Sequence, residues 1–354
     1  MHIVALARYG PLAASSRQRF LQYRPALAAA GITLELSPLL DDDHMRRLVR
    51  GQRASPLAVA RSYARRGLEL LTARPADLLW LHCESFPYLP GWLELAVFRR
   101  RIPVVYDVDD AIFHIYDSSR SGLVRRVLGK KLEPLLRRVD ACTCGNAYLA
   151  DHVRQFCERT LVVPTVVDTD RYLPASTPAE ECTTIGWIGS PSTWSQVRPL
   201  LPMLADICAR HAIRFRAVGP GAAAEADLFP GMDLVEWRED HEIADVQAMN
   251  IGIMPLIDGP FVRGKSGYKL VQYMACGLPV VASPIGVNRT IVEDGVNGFL
   301  AGDEAQWRTS LERLITDVYL RRSMGKAGRV KAVAQYSLSS QAPRLIEIFR
   351  SLER

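Results

Sequence analysis

Short apolar runs alternate with longer amphipathic segments along the whole chain. Runs such as Leu78–His82 and Thr184–Ile188 are almost entirely apolar, which is typical of strands buried on both faces of a parallel sheet. The segments between them, for example Arg17–Ala30 and Ser121–Val139, repeat apolar residues at helical spacing. The pattern predicts an α/β protein whose parallel sheets are covered by helices.

The predicted strands fall into two series separated by a linker. The first series comprises His2–Ala7, Ile32–Leu36, Leu78–His82, Val104–Asp107, Ala141–Thr143 and Leu161–Val163. The second comprises Thr184–Ile188, Arg214–Val218, Leu234–Trp237, Ile251–Pro255, Leu278–Ala282 and Gly298–Leu300. Between them, Pro164–Glu181 carries prolines among small and acidic residues, as linkers do. We therefore predict two Rossmann-like domains, residues 1–167 and 168–340, and a last helix in residues 341–354.

Positive charge is concentrated in the first domain. The chain has 44 Lys+Arg and 38 Asp+Glu; residues 1–170 hold 24 and 18 of them, so residues 171–354 hold 20 and 20. The segment 120–138 alone carries seven cations, Arg120, Arg125, Arg126, Lys130, Lys131, Arg137 and Arg138. Two interpretations remain open: a basic amphipathic helix on an anionic membrane surface, or a helix that packs on the sheet and exposes its basic face.

Several classes of function are disfavoured. No apolar run reaches the ~18 residues of a membrane span, and the first residues are typical of a strand. The seven cysteines form no C-x-x-C pair, which predicts reduced thiols in a cytoplasmic protein. Neither domain's first strand is followed by G-x-G-x-x-G, so a dehydrogenase is not expected. The basic segment lacks interleaved aromatic residues, so we expect no nucleic-acid partner.

The segment Arg263–Leu300 contains the clearest candidate binding site. Its first part is a glycine-containing basic loop, R-G-K-S-G-Y-K, which then enters a helix. Cations together with loop and helix N–H groups favour a phosphate-bearing ligand. Lys269, Gln272 and Tyr273 follow at helical spacing, which predicts that they reach this ligand from one face. The candidate ligand-binding residues here are Arg263, Lys265, Ser266, Gly267, Lys269 and Gln272.

This segment resembles the nucleotide-binding half of family-4-like retaining glycosyltransferases, which have the GT-B fold. Met274–Ser283 reads M-A-C-G-L-P-V-V-A-S and is similar to the family's MA-x-G-x-PVVAS. The linker V-P-T-V-V-D-T-D-R-Y-L-P is similar to the family's PN-x-VD-x-x-x-F-x-P. The resemblance implies two Rossmann-like domains facing across a cleft, with the helix in 341–354 crossing back to the first. The family's two Glu positions are Gly264 and Gln272 here, and Gln272 is implied to contact the ribose.

Three acids mark the end of one strand of the first domain. Asp107, Asp109 and Asp110 follow Val104 and Val105, and ligands of open α/β sheets bind outside such ends. The family often has a His here, and Asp109 falls at its position. A carboxylate at this point can orient an acceptor hydroxyl or accept its proton, so Asp109 and Asp110 are the candidate catalytic residues. A helix cap and a Mg²⁺ site are the alternatives.

Two further loops are candidate contacts. After the first strand, Gly10 permits a tight turn, and the resemblance implies that this turn lies against the donor and acceptor. Arg17 and Arg19 offer charges for an acceptor phosphate, with a capped helix and exposed arginines as the alternative. After the first strand of the second domain, Gly189 and Ser190 present N–H groups to phosphate oxygens. His114 lies near the aspartates and is a candidate acceptor residue or a structural one.

Taken with the resemblance, these residues predict transfer of a sugar from a nucleotide-diphosphate sugar to a hydroxyl, with retention at the anomeric carbon. Fixed cations and amides would balance the leaving diphosphate, so we expect neither a metal nor a cofactor. The basic first domain predicts a glycan or lipid-linked acceptor, as in bacterial envelope polysaccharide synthesis, on the cytoplasmic side of a membrane. The alternatives are a non-catalytic nucleotide-sugar-binding or scaffold subunit and a sugar-nucleotide epimerase.

Overall fold

A computed structural model describes residues 1–49, 52, 55–72, 76–97, 102–176 and 182–353. The chain divides into two compact units. The first contains Met1–Thr165, Arg263–Ser266 and Gln341–Arg354, and the second contains Val166–Val262 and Gly267–Ser340. Residues 177–181 of the predicted linker lie outside the described ranges.

The first unit is built on a six-stranded parallel sheet in the order β2-β1-β3-β4-β5-β6. Its strands are β1 (His2–Tyr9), β2 (Thr33–Leu40), β3 (Leu78–His82), β4 (Val104–Val108), β5 (Ala141–Cys144) and β6 (Thr160–Val162). Its helices are α1 (Ala14–Arg19), α2 (Arg24–Ala29), α3 (Asp42–Val49), α4 (Pro56–Thr72), α5 (Gly91–Val97), α6 (Phe113–Asp117), α7 (Gly122–Leu128), α8 (Glu133–Leu136) and α9 (Ala147–Val153). Strands β3, β4 and β5 are buried at every position, which accounts for their continuous apolar sequences.

The second unit repeats this architecture with the order β12-β11-β10-β7-β8-β9, again parallel throughout. Its strands are β7 (Thr184–Ile188), β8 (Arg214–Val218), β9 (Met232–Val235), β10 (Ile251–Met254), β11 (Val280–Ala282) and β12 (Gly298–Leu300). Its helices are α10 (Leu201–His211), α11 (Glu242–Gln247), α12 (Pro260–Arg263), α13 (Tyr268–Ala275), α14 (Asn288–Ile291), α15 (Glu304–Thr316) and α16 (Val318–Gln335). All twelve predicted strands are present, with ends shifted by a few residues.

The last helix, α17 (Leu338–Arg350), contributes its C-terminal part to the first unit. The Phe349 ring meets the Trp80 ring edge-on at 5.0 Å between centroids, and both residues are almost fully buried. Arg350 donates a hydrogen bond of 2.9 Å to the Ala30 carbonyl. The end of the chain therefore completes the core beside β3. Among the described residues, no helix combines the length and apolarity that crossing a bilayer requires.

Two helix predictions need correction. The predicted helix Arg17–Ala30 is divided into α1 and α2 by a 3₁₀ turn at Leu21–Tyr23. The predicted helix Ser121–Val139 is divided into α7 and α8, and the intervening Lys131 side chain is buried. In both cases apolar spacing continues through the break, so spacing alone does not reveal it.

Candidate active site

The carboxyl ends of β3, β4 and β5 lie side by side in the first unit. Strand register pairs His82 with Asp107 and Asp107 with Thr143. The strand order reverses nearby, between β1 and β3, and ligands of open α/β sheets bind outside the strand ends at such reversals. The topology therefore brings His82 into the neighbourhood of the three aspartates.

Asp107 forms a buried ion pair with Arg19. The Arg19 Nε and Nη2 atoms lie 2.8 and 2.5 Å from the two carboxylate oxygens, and Nη1 donates to the Val163 carbonyl at 3.1 Å. The Thr143 hydroxyl donates to the same carboxylate at 2.5 Å. Arg19 is 2% exposed and held by Asp107, so these contacts give no support to the acceptor-phosphate assignment, which stays a prediction. Its charge compensates a carboxylate buried at the strand end.

Asp109 is paired with His82, a residue that the sequence analysis did not select. The His82 Nε2 and Asp109 Oδ1 atoms lie 2.8 Å apart. Burial opposes charge on both groups, yet their mutual attraction raises the pKa of His82 and holds that of Asp109 well below its usual range. The Cys83 thiol is 3.5 Å from the same oxygen, and burial raises its pKa well above normal. The sequence does contain one indication of His82: it ends a predicted strand, as Asp107 does.

Asp110 forms a second pair, with a lysine from the basic loop. The Lys265 ammonium lies 3.1 Å from Asp110 Oδ2 within the first unit. Burial and the Asp109 charge raise the pKa of Asp110 to about 6, against the opposing effect of Lys265. Lys265 was predicted to bind a donor phosphate, and in this structure its ammonium forms an ion pair with Asp110, a candidate catalytic residue.

Gly264, at the position of the family's first Glu, is held by close contacts. The Asn146 amide donates to the carbonyls of Gly264 and Lys265 at 3.0 and 3.1 Å. A Cβ atom at position 264 would lie 2.5 Å from the Ala111 methyl and 2.9 Å from its backbone nitrogen. A glutamate at 264 therefore does not fit this backbone arrangement, which explains the glycine.

The remaining predicted residues of the first unit serve mainly local structure. Arg17 donates to the carbonyl of Leu12 at 2.6 Å and so braces the loop after β1. A Cβ atom at Gly10 would collide with the Asp42 carboxylate. His114 places one imidazole nitrogen 2.9 Å from Asp117 and the other 2.8 Å from the Tyr148 hydroxyl. The structural alternative for His114 therefore agrees with its contacts.

Lys131 does not belong to the basic surface of the 120–138 segment. Its ammonium is buried and lies 2.7 Å from Glu84 and 3.4 Å from Glu94. It also donates to the Phe86 carbonyl at 2.7 Å. Burial raises the pKa of Glu94 to about 7, although Lys131 lowers it. This segment is therefore anchored in the interior by one of its own cations.

In the second unit, Gly189 and Ser190 form the loop after β7, next to Lys269 of α13. A Cβ atom at Gly189 would lie 2.9 Å from the Lys269 Cε atom, and the Lys269 ammonium lies 5.5 Å from the Trp187 ring centre. Ser190 caps the following 3₁₀ turn and forms a capping box with Thr193. This unit's strand order reverses between β7 and β10, so the loop occupies the edge where ligands are expected.

Gln272 and Tyr273 point into the second unit and not toward a ligand surface. The Gln272 amide donates to Glu242 at 2.8 Å and to the Tyr172 hydroxyl at 3.1 Å, and Gln272 is 2% exposed. The Tyr273 hydroxyl accepts a hydrogen bond from the Ile188 amide at 2.9 Å. These contacts engage Gln272 and Tyr273 within the second unit, so the prediction that they share one ligand with Lys269 stays without support from the structure.

The predicted donor loop is divided between the two units. Arg263, Lys265 and Ser266 belong to the first unit, whereas Gly267 begins the part that belongs to the second. Gly267 precedes α13 with a φ of 70°, and a Cβ atom there would press on Ile291. This position requires glycine for both reasons.

The chain is similar to known glycosyltransferases. Residues 182–317 match the family model described as "Glycosyl transferases group 1". A D-inositol 3-phosphate glycosyltransferase of Stackebrandtia nassauensis is 26% identical over 262 residues, covering 62% of this chain and 56% of that protein. The chain thus spans about half the length of this relative.

Solved structures show the same fold over nearly the whole chain. Sucrose-phosphate synthase from Thermosynechococcus elongatus superposes with a TM-score of 0.74 at 15% identity, covering 99% of each chain. Anabaena HepE, solved in complex with UDP-glucose, superposes with a TM-score of 0.73 at 18% identity, covering 99% of this chain and 100% of that one. Identities this low establish the fold alone.

Proposed function

This chain carries a glycosyl transferases group 1 domain on the GT-B fold, and we propose that it is a retaining glycosyltransferase. It moves a sugar from a nucleotide-diphosphate sugar to a hydroxyl of a glycan or lipid-linked acceptor. The observation that carries the proposal is the pair of adjacent carboxylates at the strand ends of the first unit, where Asp109 is paired with His82 and Asp110 with Lys265.

The two carboxylates suit different tasks. Asp109 stays ionised because His82 holds it, so it is a weak base but a good hydrogen-bond acceptor that orients the attacking hydroxyl. Asp110, with a pKa of about 6, is better matched to accepting a proton near neutral pH. Enzymes commonly separate such roles by giving neighbouring acids different surroundings.

The donor binds the second unit through the loop at Gly189 and Ser190. The Lys269 ammonium beside this loop supplies charge for the diphosphate, and the Ser190 hydroxyl supplies a further hydrogen-bonding group. Arg263 and Lys265, which the sequence also offers as cations for the diphosphate, stay predictions. UDP-glucose, the ligand solved with HepE, is the first donor to test.

The acceptor is presented at the inner face of a membrane, in bacterial envelope polysaccharide synthesis. Support comes from α7, where Leu123 and Val127 are 72% and 53% exposed beside Arg125 and Arg126. Exposed apolar side chains between cations favour an anionic lipid surface over a helix face packed on the sheet. Among water-soluble acceptors, inositol 3-phosphate is the first to test, because the relative described above is named for it.

The test combines transfer and binding measurements on single variants. Asp109→Asn should lower the transfer rate by roughly 10²-fold and leave donor affinity unchanged. Asp110→Asn, made in parallel, should remove the rise in rate through pH 6. Lys269→Ala should weaken donor binding by about 1.5–3 kcal/mol, whereas Lys326→Ala, an exposed cation on α16, should not. Normal turnover in both aspartate variants would contradict the proposal.

A non-catalytic nucleotide-sugar-binding subunit is the second candidate. It is favoured by Gly264, since the contacts with Ala111 leave no room for the carboxylate that the family carries there. Purified protein that binds UDP-glucose but neither hydrolyses nor transfers its sugar would support this candidate. Formation of an epimeric nucleotide sugar instead would point to an epimerase.

A further inference from the structure

His82, Cys83 and Asp109 bring three different metal-ligating atoms together in the first unit. Nε2 of His82 lies 3.4 Å from Sγ of Cys83 and 2.8 Å from Oδ1 of Asp109, and the thiol lies 3.5 Å from that oxygen. They form a group of potential ligands within the described part of the chain. We propose that these three side chains form a binding site for Zn²⁺.

The spacing agrees with tetrahedral coordination. Zinc bonds of about 2.0–2.3 Å at tetrahedral angles place ligand atoms about 3.3–3.6 Å apart. Both distances from Cys83 Sγ fall in this range. The His82–Asp109 distance is that of a hydrogen bond, so an ion replacing the shared proton would separate these two atoms by about 0.5 Å.

The backbone at Cys83 gives independent support. Cys83 has a φ of 61°, a left-handed conformation that is uncommon for residues other than glycine. The conformation is fixed because the Cys83 amide donates to the Asp107 carbonyl at 2.9 Å and the Tyr106 hydroxyl donates to the Cys83 carbonyl. Strained positions held in this way are concentrated at functional sites.

Charge and ligand type select the ion. A thiolate and a carboxylate balance a divalent cation, and the neighbouring acids Asp107 and Asp110 are already paired with Arg19 and Lys265. A thiolate and an imidazole favour zinc over Mg²⁺ or Ca²⁺, which prefer oxygen ligands. Three protein ligands leave the fourth coordination position of the ion open for water or another ligand. The ion can reach the site from solvent, because 17% of the Asp109 side-chain surface is exposed.

An ion here would occupy the carboxylate that orients the acceptor. We therefore expect Zn²⁺ to inhibit transfer, a consequence that rests on the proposed function. The site itself is tested without any activity measurement, so a failed transferase assay and a failed metal assay are distinguishable.

The experiment titrates the full chain, freed of metal and kept reduced, with Co²⁺ as a spectroscopic substitute for Zn²⁺. We expect visible bands of four-coordinate cobalt and a near-ultraviolet thiolate charge-transfer band that saturate at one equivalent and disappear when Zn²⁺ is added. Cys83→Ser should abolish the thiolate band. His82→Gln and Asp109→Asn keep the thiol and should weaken binding by about 10-fold or more.

The matched controls are Cys157→Ser, a thiol elsewhere in the first unit, and Asp110→Asn, the adjacent acid. Both should bind cobalt like the parent. If Cys83→Ser proves unfolded by circular dichroism, the His82 and Asp109 variants still decide the question. A parent protein without a thiolate band, or a band that survives all three ligand substitutions, would overturn the proposal.

Discussion

Removing the Arg19 guanidinium should destabilise the first unit severely. In Arg19→Met the Asp107 carboxylate, which has no exposed surface, would keep the Thr143 hydroxyl but lose both guanidinium contacts. Breaking a buried ion pair from one side costs about 3–5 kcal/mol, because an uncompensated charge stays in the interior. That is a large part of the roughly 5–15 kcal/mol that stabilises a typical domain.

The measurement must report on the first unit alone, since two-unit proteins rarely unfold in one step. Hydrogen exchange of peptides covering Val104–Val108 and Ala141–Cys144, followed through a urea series, meets this need. Arg17→Met is the matched control: Arg17 is only partly buried and donates to loop carbonyls, so we expect a change below about 1 kcal/mol. Adding Asp107→Asn to Arg19→Met should recover part of the lost unfolding free energy, because it removes the uncompensated carboxylate charge from the interior.

The reasoning would be refuted if Arg19→Met lost less than about 1 kcal/mol of unfolding free energy. A stable variant that selectively lost acceptor affinity would restore the assignment made from the sequence. A destabilised variant that keeps donor affinity in its folded fraction is the expected result.

Three further outcomes follow from the same structure. The folded pKa of Glu94, about 7, lies above its ordinary 4.5, so its contribution to stability is complete below pH 4.5 and is lost as pH rises through 7. Glu94→Gln should remove roughly 3 kcal/mol of this loss, so its melting temperature should change less between pH 5 and 8 than that of the parent. Transfer should survive EDTA, and a complete loss restored by Mg²⁺ would instead assign the strand-end aspartates to a metal. Joint replacement of Arg125, Arg126 and Lys130 by Gln should reduce binding to anionic vesicles at low salt by up to ~1 kcal/mol per charge, and a parent protein that ignores such vesicles would leave this segment as a solvated face.

Much of the fold was predictable because its strands are encoded locally. A strand such as Thr184–Ile188 is apolar at almost every position, and this pattern does not depend on distant residues. Helix breaks were not predictable in the same way. The division of the 121–139 segment accompanies burial of Lys131 beside Glu84 and Glu94, which are more than 35 residues away along the chain.

The candidate site was predictable in position but not in its pairings. The strand-end rule selected the aspartates, and the same rule applied to Leu78–His82 would have added His82. Arg19 and Asp107, by contrast, are 88 residues apart, and no local pattern shows that each neutralises the other. The contacts of Gln272 were not predictable either, because helical spacing identifies a shared face but not whether that face meets a ligand or the sheet.

The first unit draws on three separated stretches of the sequence, which affects how the protein is made. When Met1–Thr165 has been synthesised, the face of Trp80 that packs against Phe349 in the folded protein is still exposed. It stays uncovered until residues 341–354 have been synthesised, after the entire second unit. The nascent chain must therefore keep an apolar face from self-association during most of its synthesis, and a gene truncated after residue 165 would encode a first unit that cannot close its own core.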